Sequence, residues 1–337
     1  MRRAPLTIIS LLTATGLLLA GCGGGDDSAD KPKAASQEVA ASEEIASTWP
    51  LTGLPVEGDE DAAKTHPVLV TKIDNTYSSA PQLGLGGADM VVEELVEGGL
   101  TRLAAFFYSQ LPTKVGPVRS MRASDIGIVS PVDASVVTSG AAGRTIARIK
   151  GAGIQFFQEG APGLSRDTSR SAPYNVFADL TTIAKTAETD EARPADYLPW
   201  GSEDDFPGGQ AAKTIAASFG GGHTTNWTYD GKGYVNENTY ADQGDEFPAD
   251  SVLVLRVQVG DAGYLDPAGN PVPETKLTGK GQAMIFHDGR LVRGTWTKAS
   301  LDAPIELSTE AGKLTVPAGH TWLELVPKDG GDVTFGK

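Results

Sequence analysis

Three arginines stand close together in a chain that is otherwise acidic. Gly98-Gly99-Leu100-Thr101-Arg102 is followed by Val115-Gly116-Pro117-Val118-Arg119-Ser120-Met121-Arg122. The guanidinium group suits forked recognition of carboxylate or phosphate, and it stays charged at any relevant pH. The Gly-Pro step before Arg119 implies a turn that fixes where the next side chains point. A second group, Ser165-Arg166-Asp167-Thr168-Ser169-Arg170, leads into Ala172-Pro173-Tyr174-Asn175. If the two loops meet, Arg102, Arg119, Arg122, Arg166, Arg170 and Asn175 make a basic ligand-binding pocket on an acidic body. The plainer reading is internal pairing with Glu93, Glu94, Glu97, Asp125 or Asp167, because surface ion pairs are common and carry little function.

Carboxylates offer a second chemistry. Asp74 closes a strand in Lys72-Ile73-Asp74-Asn75, and Glu93, Glu94 and Glu97 cluster on another. Two carboxylates about 5–10 Å apart serve glycoside hydrolysis. If the chain is an enzyme, Asp74 and Glu97 are the pair to move protons. The bland alternative makes Glu93-Glu94 a solvated face. Other chemistries are set aside. His66, His223, His287 and His320 are scattered without metal-ligand spacing and read as surface or capping residues. Ser139-Gly140 lacks the frame of a nucleophile elbow, and Gly84-Leu85-Gly86-Gly87 lacks the ending of a phosphate loop. No metal and no cofactor are expected. Trp227, Tyr229 and Tyr234 fit a sugar-stacking platform or, more simply, a core.

Cys22 is the single cysteine. Arg2 and Arg3 precede an apolar run from Leu6 to Ala20, which ends in Leu19-Ala20-Gly21-Cys22. Charge, apolar core and small residues before a cysteine form a lipoprotein export signal, cut before Cys22 and lipidated on it. Residues 1–21 are therefore expected to be a signal peptide, and the folded part to sit at the cell membrane on its extracytoplasmic face. Residues 22–47 are mostly Gly, Ala, Ser, Asp, Glu and Lys, a composition that cannot offset its ordering entropy. Such a tether reaches roughly 25–30 Å. No disulfide can form inside the chain. The net charge of −15 makes duplex nucleic acid a poor partner, and removal of Arg2 and Arg3 deepens it. Broad adhesion to anionic lipid or teichoic-type polymer is disfavoured too, unless a local basic site overrides the global field.

The elements that must position these residues divide near Trp200–Gly209. Residues 48–202 carry strand-length apolar runs at His66–Ile73, Asp89–Val96, Arg102–Tyr108, Ala134–Thr138 and Ile154–Phe157. Helices fit Arg144–Lys150 and Leu180–Thr186, so this part reads as a mixed α/β domain carrying the arginine site. Residues 203–337 read as a mainly β domain with one short helix over Ala211–Phe219. Asp288-Gly289, between Gln282–His287 and Leu291–Thr297, is the strongest hairpin signal in the chain. The overall class expected is α+β.

Several segments together resemble one family. They are Lys72-Ile73-Asp74-Asn75, Pro81-Gln82, Gly84-Leu85, Ala88-Asp89, Glu97–Arg102, Gly116–Arg122, Ala172–Asn175, Gly294-Thr295-Trp296 and Pro317–Trp322. In this order they resemble the YerB-type bacterial lipoproteins, over nearly everything after the tether. The resemblance implies two paired domains of unassigned function in one surface lipoprotein, and no established reaction. Relatives often carry an aromatic soon after the second arginine, where Ala123-Ser124-Asp125 stand here, and His where Tyr174 stands. Arg102, Arg119, Arg122 and Asn175 match the motif. The expectation is a membrane-anchored lipoprotein binding an anionic envelope ligand, such as a cell-wall glycan, or a partner protein. The alternative is an envelope hydrolase or transferase acting on a glycan or a phosphorylated lipid-linked precursor.

Overall fold

The computed structural model describes residues 47–337 apart from Asp59 and Asp190. The expected signal peptide, Cys22 and all of the tether except Ser47 fall outside the described residues. Described structure begins with the aromatic–proline segment: Thr48 bridges to Pro55, and the Trp49 N–H donates to the Leu54 carbonyl at 2.9 Å. Ala46–Lys337 form one compact unit.

Strands dominate and helices are short. β1 (Leu69–Asn75), β2 (Met90–Leu95) and β3 (Thr101–Phe107) pair antiparallel in the order β2-β3-β1. They are followed by α1 (Asp125–Val129), β4 (Ser135–Val137), α2 (Gly143–Gly151) and β5 (Phe156–Phe157). β6 (Leu164–Arg166), β7 (Val176–Ala178), α3 (Leu180–Ala184) and β8 (Trp200–Gly201) come next. Then come β9 (Gln210–Ala211), β10 (Thr214–Gly220), β11 (His223–Tyr229), β12 (Tyr234–Asn236) and the long β13 (Ser251–Leu265). β14 (Pro271–Lys276), β15 (Gly279–His287), β16 (Arg290–Lys298), β17 (Glu306–Thr309) and β18 (Gly312–Lys313) are successive. β19 (Val316–Pro317), β20 (Thr321–Pro327) and β21 (Asp332–Gly336) end the chain.

One sheet crosses both halves. Its order is β18-β17-β16-β15-β13-β20-β2-β3-β1-β4-β5, with β14 added to β13 and β9 to β16. β20 lies parallel to both β13 and β2, and so joins the late strands to the early ones. β1, β3 and β20 are buried along their whole length, which needs apolar side chains on both faces. Val70, Val92, Ala104, Phe106 and Leu323 belong to one core; Leu69, Val91, Leu103, Ala105 and Trp322 belong to the other. A second sheet, β12-β11-β10-β21, covers the latter.

The helix expected over Ala211–Phe219 is instead β10. Ile215, Ala217 and Phe219 are buried while their neighbours are more exposed, a period of two that overrides the alanines' helical preference. The expected Asp288-Gly289 hairpin joins β15 to β16, and α2 coincides with the expected Arg144–Lys150 helix. Trp227 and Tyr234 are core residues at 1% and 2% exposure.

Candidate functional site

The alternation of β1, β2 and β3 delivers polar side chains to both sheet faces at one end. Lys72, Asp74, Glu94 and Arg102 follow Val70, Val92 and Ala104 onto the first face; Asn75, Glu93 and Thr101 follow Ile73, Val91 and Leu103 onto the second. The segment Val115–Arg119 is laced against this end. Arg119 N–H donates to Lys72 O at 2.8 Å, and Asp74 N–H to Pro117 O at 3.1 Å. Gly116, at φ 149°, permits the approach: a Cβ there would come within 2.8 Å of Val118 N and Val176 O.

On the first face Lys72 donates to Glu94 Oε1 and Asp125 Oδ1, each at 2.7 Å, with all three side chains fully buried. Burial opposes the Lys72 ammonium, but Asp125 and Glu94 outweigh it and raise its pKa. Burial, with Asp125 beside it, raises the Glu94 carboxyl although Lys72 pulls the other way. Arg119 Nε meets Asp74 Oδ2 at 2.9 Å, and its guanidinium stands 5.2 Å from the Tyr174 ring centre. Arg122 grips both oxygens of Glu97 at 2.7 Å. Arg102 is different. It reaches only Ser120 O, at 2.9 Å, its Nε has no partner, and it is 7% exposed. Burial first, then Arg122 and Arg119, push its pKa down to about 10.

Arg102, Arg119 and Arg122 therefore come together, within a layer where four cations face the carboxylates Asp74, Glu94, Glu97 and Asp125. The second loop meets this layer only through Arg119, whose Nη1 lies 3.4 Å from Pro173 O. Arg166 holds Glu159 with two nitrogens and donates to Asn175 Oδ1 at 2.7 Å. Arg170 donates to Pro81 O at 2.6 Å and stacks on Phe177. Arg166 and Asn175 thus brace their own loop, and Arg170 ties it to the Pro81 segment. Asp74 and Glu97, singled out as proton carriers, each hold an arginine.

A pocket of about 420 Å³ opens beside Arg122. Glu97, Ser120, Arg122 and Ser139 line one side, and the Gly140–Ala142 turn that starts α2 forms another. Ala142 at the N-cap supplies no side-chain acceptor, so the positive end of α2 keeps unpaired N–H groups there. The tip of the β13–β14 hairpin, Tyr264–Pro267, closes the third side, anchored by Tyr264 Oη to Thr145 Oγ1 at 2.7 Å.

On the second face sits a cluster that sequence reasoning misplaces. Glu93 and Glu94 are both fully buried rather than a solvated pair. Glu93 accepts from Asn75 Nδ2 and His223 Nε2 at 3.0 Å, from Thr225 Oγ1 at 2.9 Å and from Trp322 Nε1 at 3.2 Å. Glu324 pairs with it across β2 and β20 and accepts from Trp227 Nε1 at 2.9 Å. Burial and the neighbouring Glu93 raise the Glu324 carboxyl well above 4.5. Burial opposes the His223 imidazolium, but the hydrogen bond and charge of Glu93 outweigh it and raise its pKa. His223 and His287 are not surface residues, because β11 packs on β2 and His287 bonds Ser251 Oγ at 2.9 Å. The one available signal is Glu324 itself, a lone carboxylate inside the apolar run Thr321–Pro327.

Comparison with known proteins identifies the family and the fold. The family described as "Protein of unknown function (DUF3048) N-terminal domain" matches residues 51–193, and its C-terminal counterpart matches residues 215–323. "Putative lipoprotein YerB" of Bacillus subtilis (strain 168) is 26% identical over 295 residues, which is 82% of this chain and 86% of that protein. The crystal structure of the Bacillus subtilis YerB protein superposes with a TM-score of 0.70, covering 85% of this chain and 99% of that one. At 22% identity that likeness speaks for the fold. Both domains are matched in order, and a relative is matched along most of its length: the chain belongs to the DUF3048 family, in its paired, YerB-type form.

Proposed function

We propose that this chain is a membrane-anchored lipoprotein, lipidated on Cys22, whose α+β body binds an anionic envelope ligand or partner protein in the Arg122 pocket. One observation carries the reading: Arg122, two serines and the uncapped start of α2 line one pocket, together with Glu97 and Asp266. Arg102, without a carboxylate contact, stands behind Ser120. Helix N-termini and guanidinium groups both favour negative charge. The relative's name and the Leu19–Cys22 pattern support the anchor. Among the described residues no helix is long and apolar enough to cross a membrane. A division of the body near Ser202 and a role in cell-wall assembly or turnover belong to the same proposal. The enzyme alternative is not favoured by carboxylates that already hold arginines.

The test is calorimetric titration of the purified protein with muropeptides, teichoic fragments and polyprenyl phosphates. Binding by one of these, weakened at least tenfold in Arg122→Ala, supports the reading; absence of binding by all three sinks it. Cys22→Ala should abolish fatty-acid labelling, and continued labelling would refute the anchor.

A further inference from the structure

On a chain of net charge −15 carboxylates outnumber cations, and Arg119, Arg122, Arg148 and Arg166 each meet one. One hollow departs from that pattern. It sits at a fork in the large sheet. β13 pairs with β15 from Ser251 to Leu255, then takes β14 as its partner from Gln258 outward, while β20 ends alongside at Pro327. The space left where the strands part is about 590 Å³, within the range of small-ligand sites.

Its walls are fixed. Trp296, 2% exposed, lies beneath, and its indole N–H donates to Arg256 O at 3.1 Å. Arg256 Nη2 donates to the carbonyls of Lys328 at 3.1 Å and Gly331 at 2.8 Å, which ties β13 to the turn after β20. At Gly281 a Cβ would come within 2.5 Å of both Arg256 O and Trp296 Nε1, so β15 must be bare as it enters the fork.

Charge is concentrated there. Arg256, Lys276, Lys280 and Lys328 line the hollow against one carboxylate, Asp332. Lys276 is matched by Glu274 at 3.2 Å. Arg256 contacts carbonyls, and no ion pair engages Lys280 or Lys328 among the described residues. Lysine is a compact, strongly hydrated point charge whose ammonium donates to phosphate oxygens in many orientations. Several unmatched cations around one hollow suit a ligand with more than one negative charge.

We propose that this fork is a second binding site, specific for phosphodiester groups, and independent of the Arg122 pocket. The two hollows share no lining residue, so failure of either leaves the other standing. A polyol-phosphate polymer and the headgroup of an anionic phospholipid both carry such a group. The full chain in detergent would be titrated calorimetrically with a glycerol-phosphate oligomer, with glycerophosphoglycerol and with a single-stranded oligonucleotide of equal phosphate number. The oligomer should bind, weaken as salt is raised, and lose about tenfold or more in affinity in Lys280→Ala/Lys328→Ala. Lys213→Ala/Lys313→Ala, which removes two exposed lysines outside the hollow, controls for net charge and should bind as the parent does. Lys280 and Lys328 are exposed as well, so their double variant should melt with the parent and report binding alone. Equal affinity for glycerophosphoglycerol and the oligomer supports the site and assigns the headgroup as its source. Failure of every probe to bind, undiminished binding in the double variant, or tighter binding of the oligonucleotide overturns the proposal.

Discussion

Lys72 shows what single residues do here. Its ammonium sits inside a fully buried strand and is shared by Glu94 and Asp125. Such a triad is costly to assemble and costlier to break, because a lone buried charge has no alternative partner. Lys72→Met is expected to lose about 3–5 kcal/mol in urea unfolding, with part of the loss recovered at low pH as the carboxylates protonate. A loss under about 1 kcal/mol would contradict the pairing. The Glu93–Glu324–His223 cluster sets a pH dependence. His223, raised above 6.5, contributes stability that is full below about pH 6.5 and is lost as pH rises through its raised value. Glu324, raised above 4.5, becomes steadily more costly to keep protonated as pH climbs. Glu93 is lowered, because hydrogen bonds and His223 outweigh its burial, so its contribution is lost only in acid. The melting temperature should therefore fall as pH rises above about 4.5, with the His223 loss added above about 6.5, and Glu324→Gln should flatten the part of the fall that begins near 4.5. A profile that is flat in the parent would refute the assignment.

At the scale of elements, the β13–β14 hairpin links the two matched segments. Beyond Leu255 it leaves β15, and its outer part is held to α2 by the Tyr264–Thr145 bond and by Arg148, which grips Glu274 at 2.9 and 2.7 Å. Glu274→Ala should release the tip: amide exchange over residues 261–270 should accelerate while global stability changes by less than about 1 kcal/mol. Unchanged exchange would show that the clamp is not what holds it. β13 continues to Leu265, although its apolar alternation from Ser251 stops at Val259. Past that point Gly260, Asp261 and Gly263 carry no strand signal, and β14 supplies the pairing instead. The same limit explains the arginines. Their types and turns were legible, and so was pairing with carboxylates as the plainer reading, whereas the actual partners, Asp74 for Arg119 and Glu97 for Arg122, depend on segments brought together by the fold. The cationic fork was not legible at all, since Arg256, Lys280 and Lys328 meet only through sheet pairing. Ala211–Phe219 failed for another reason: alanine content spoke for a helix while Ile215, Ala217 and Phe219 already kept a period of two.

The described body is built around β20, the last strand in sequence of the large sheet, which lies near its centre, parallel to β2 on one side and β13 on the other. Early and late segments then share one sheet. Unfolding of the described body should be a single calorimetric transition whose van't Hoff and measured enthalpies agree. Two resolved transitions would show that the matched segments fold separately. Truncation before Thr321 should abolish the folded state, because β2 and β13 would lose the strand that joins them. The grip of Arg122 on both Glu97 oxygens has a consequence for what the first pocket can admit. An arriving anion does not join an empty cation; it must take the place of a resident one. Recognition becomes substitution, and a spherical ion such as chloride, offering one contact where Glu97 offers two, is turned away by arithmetic alone.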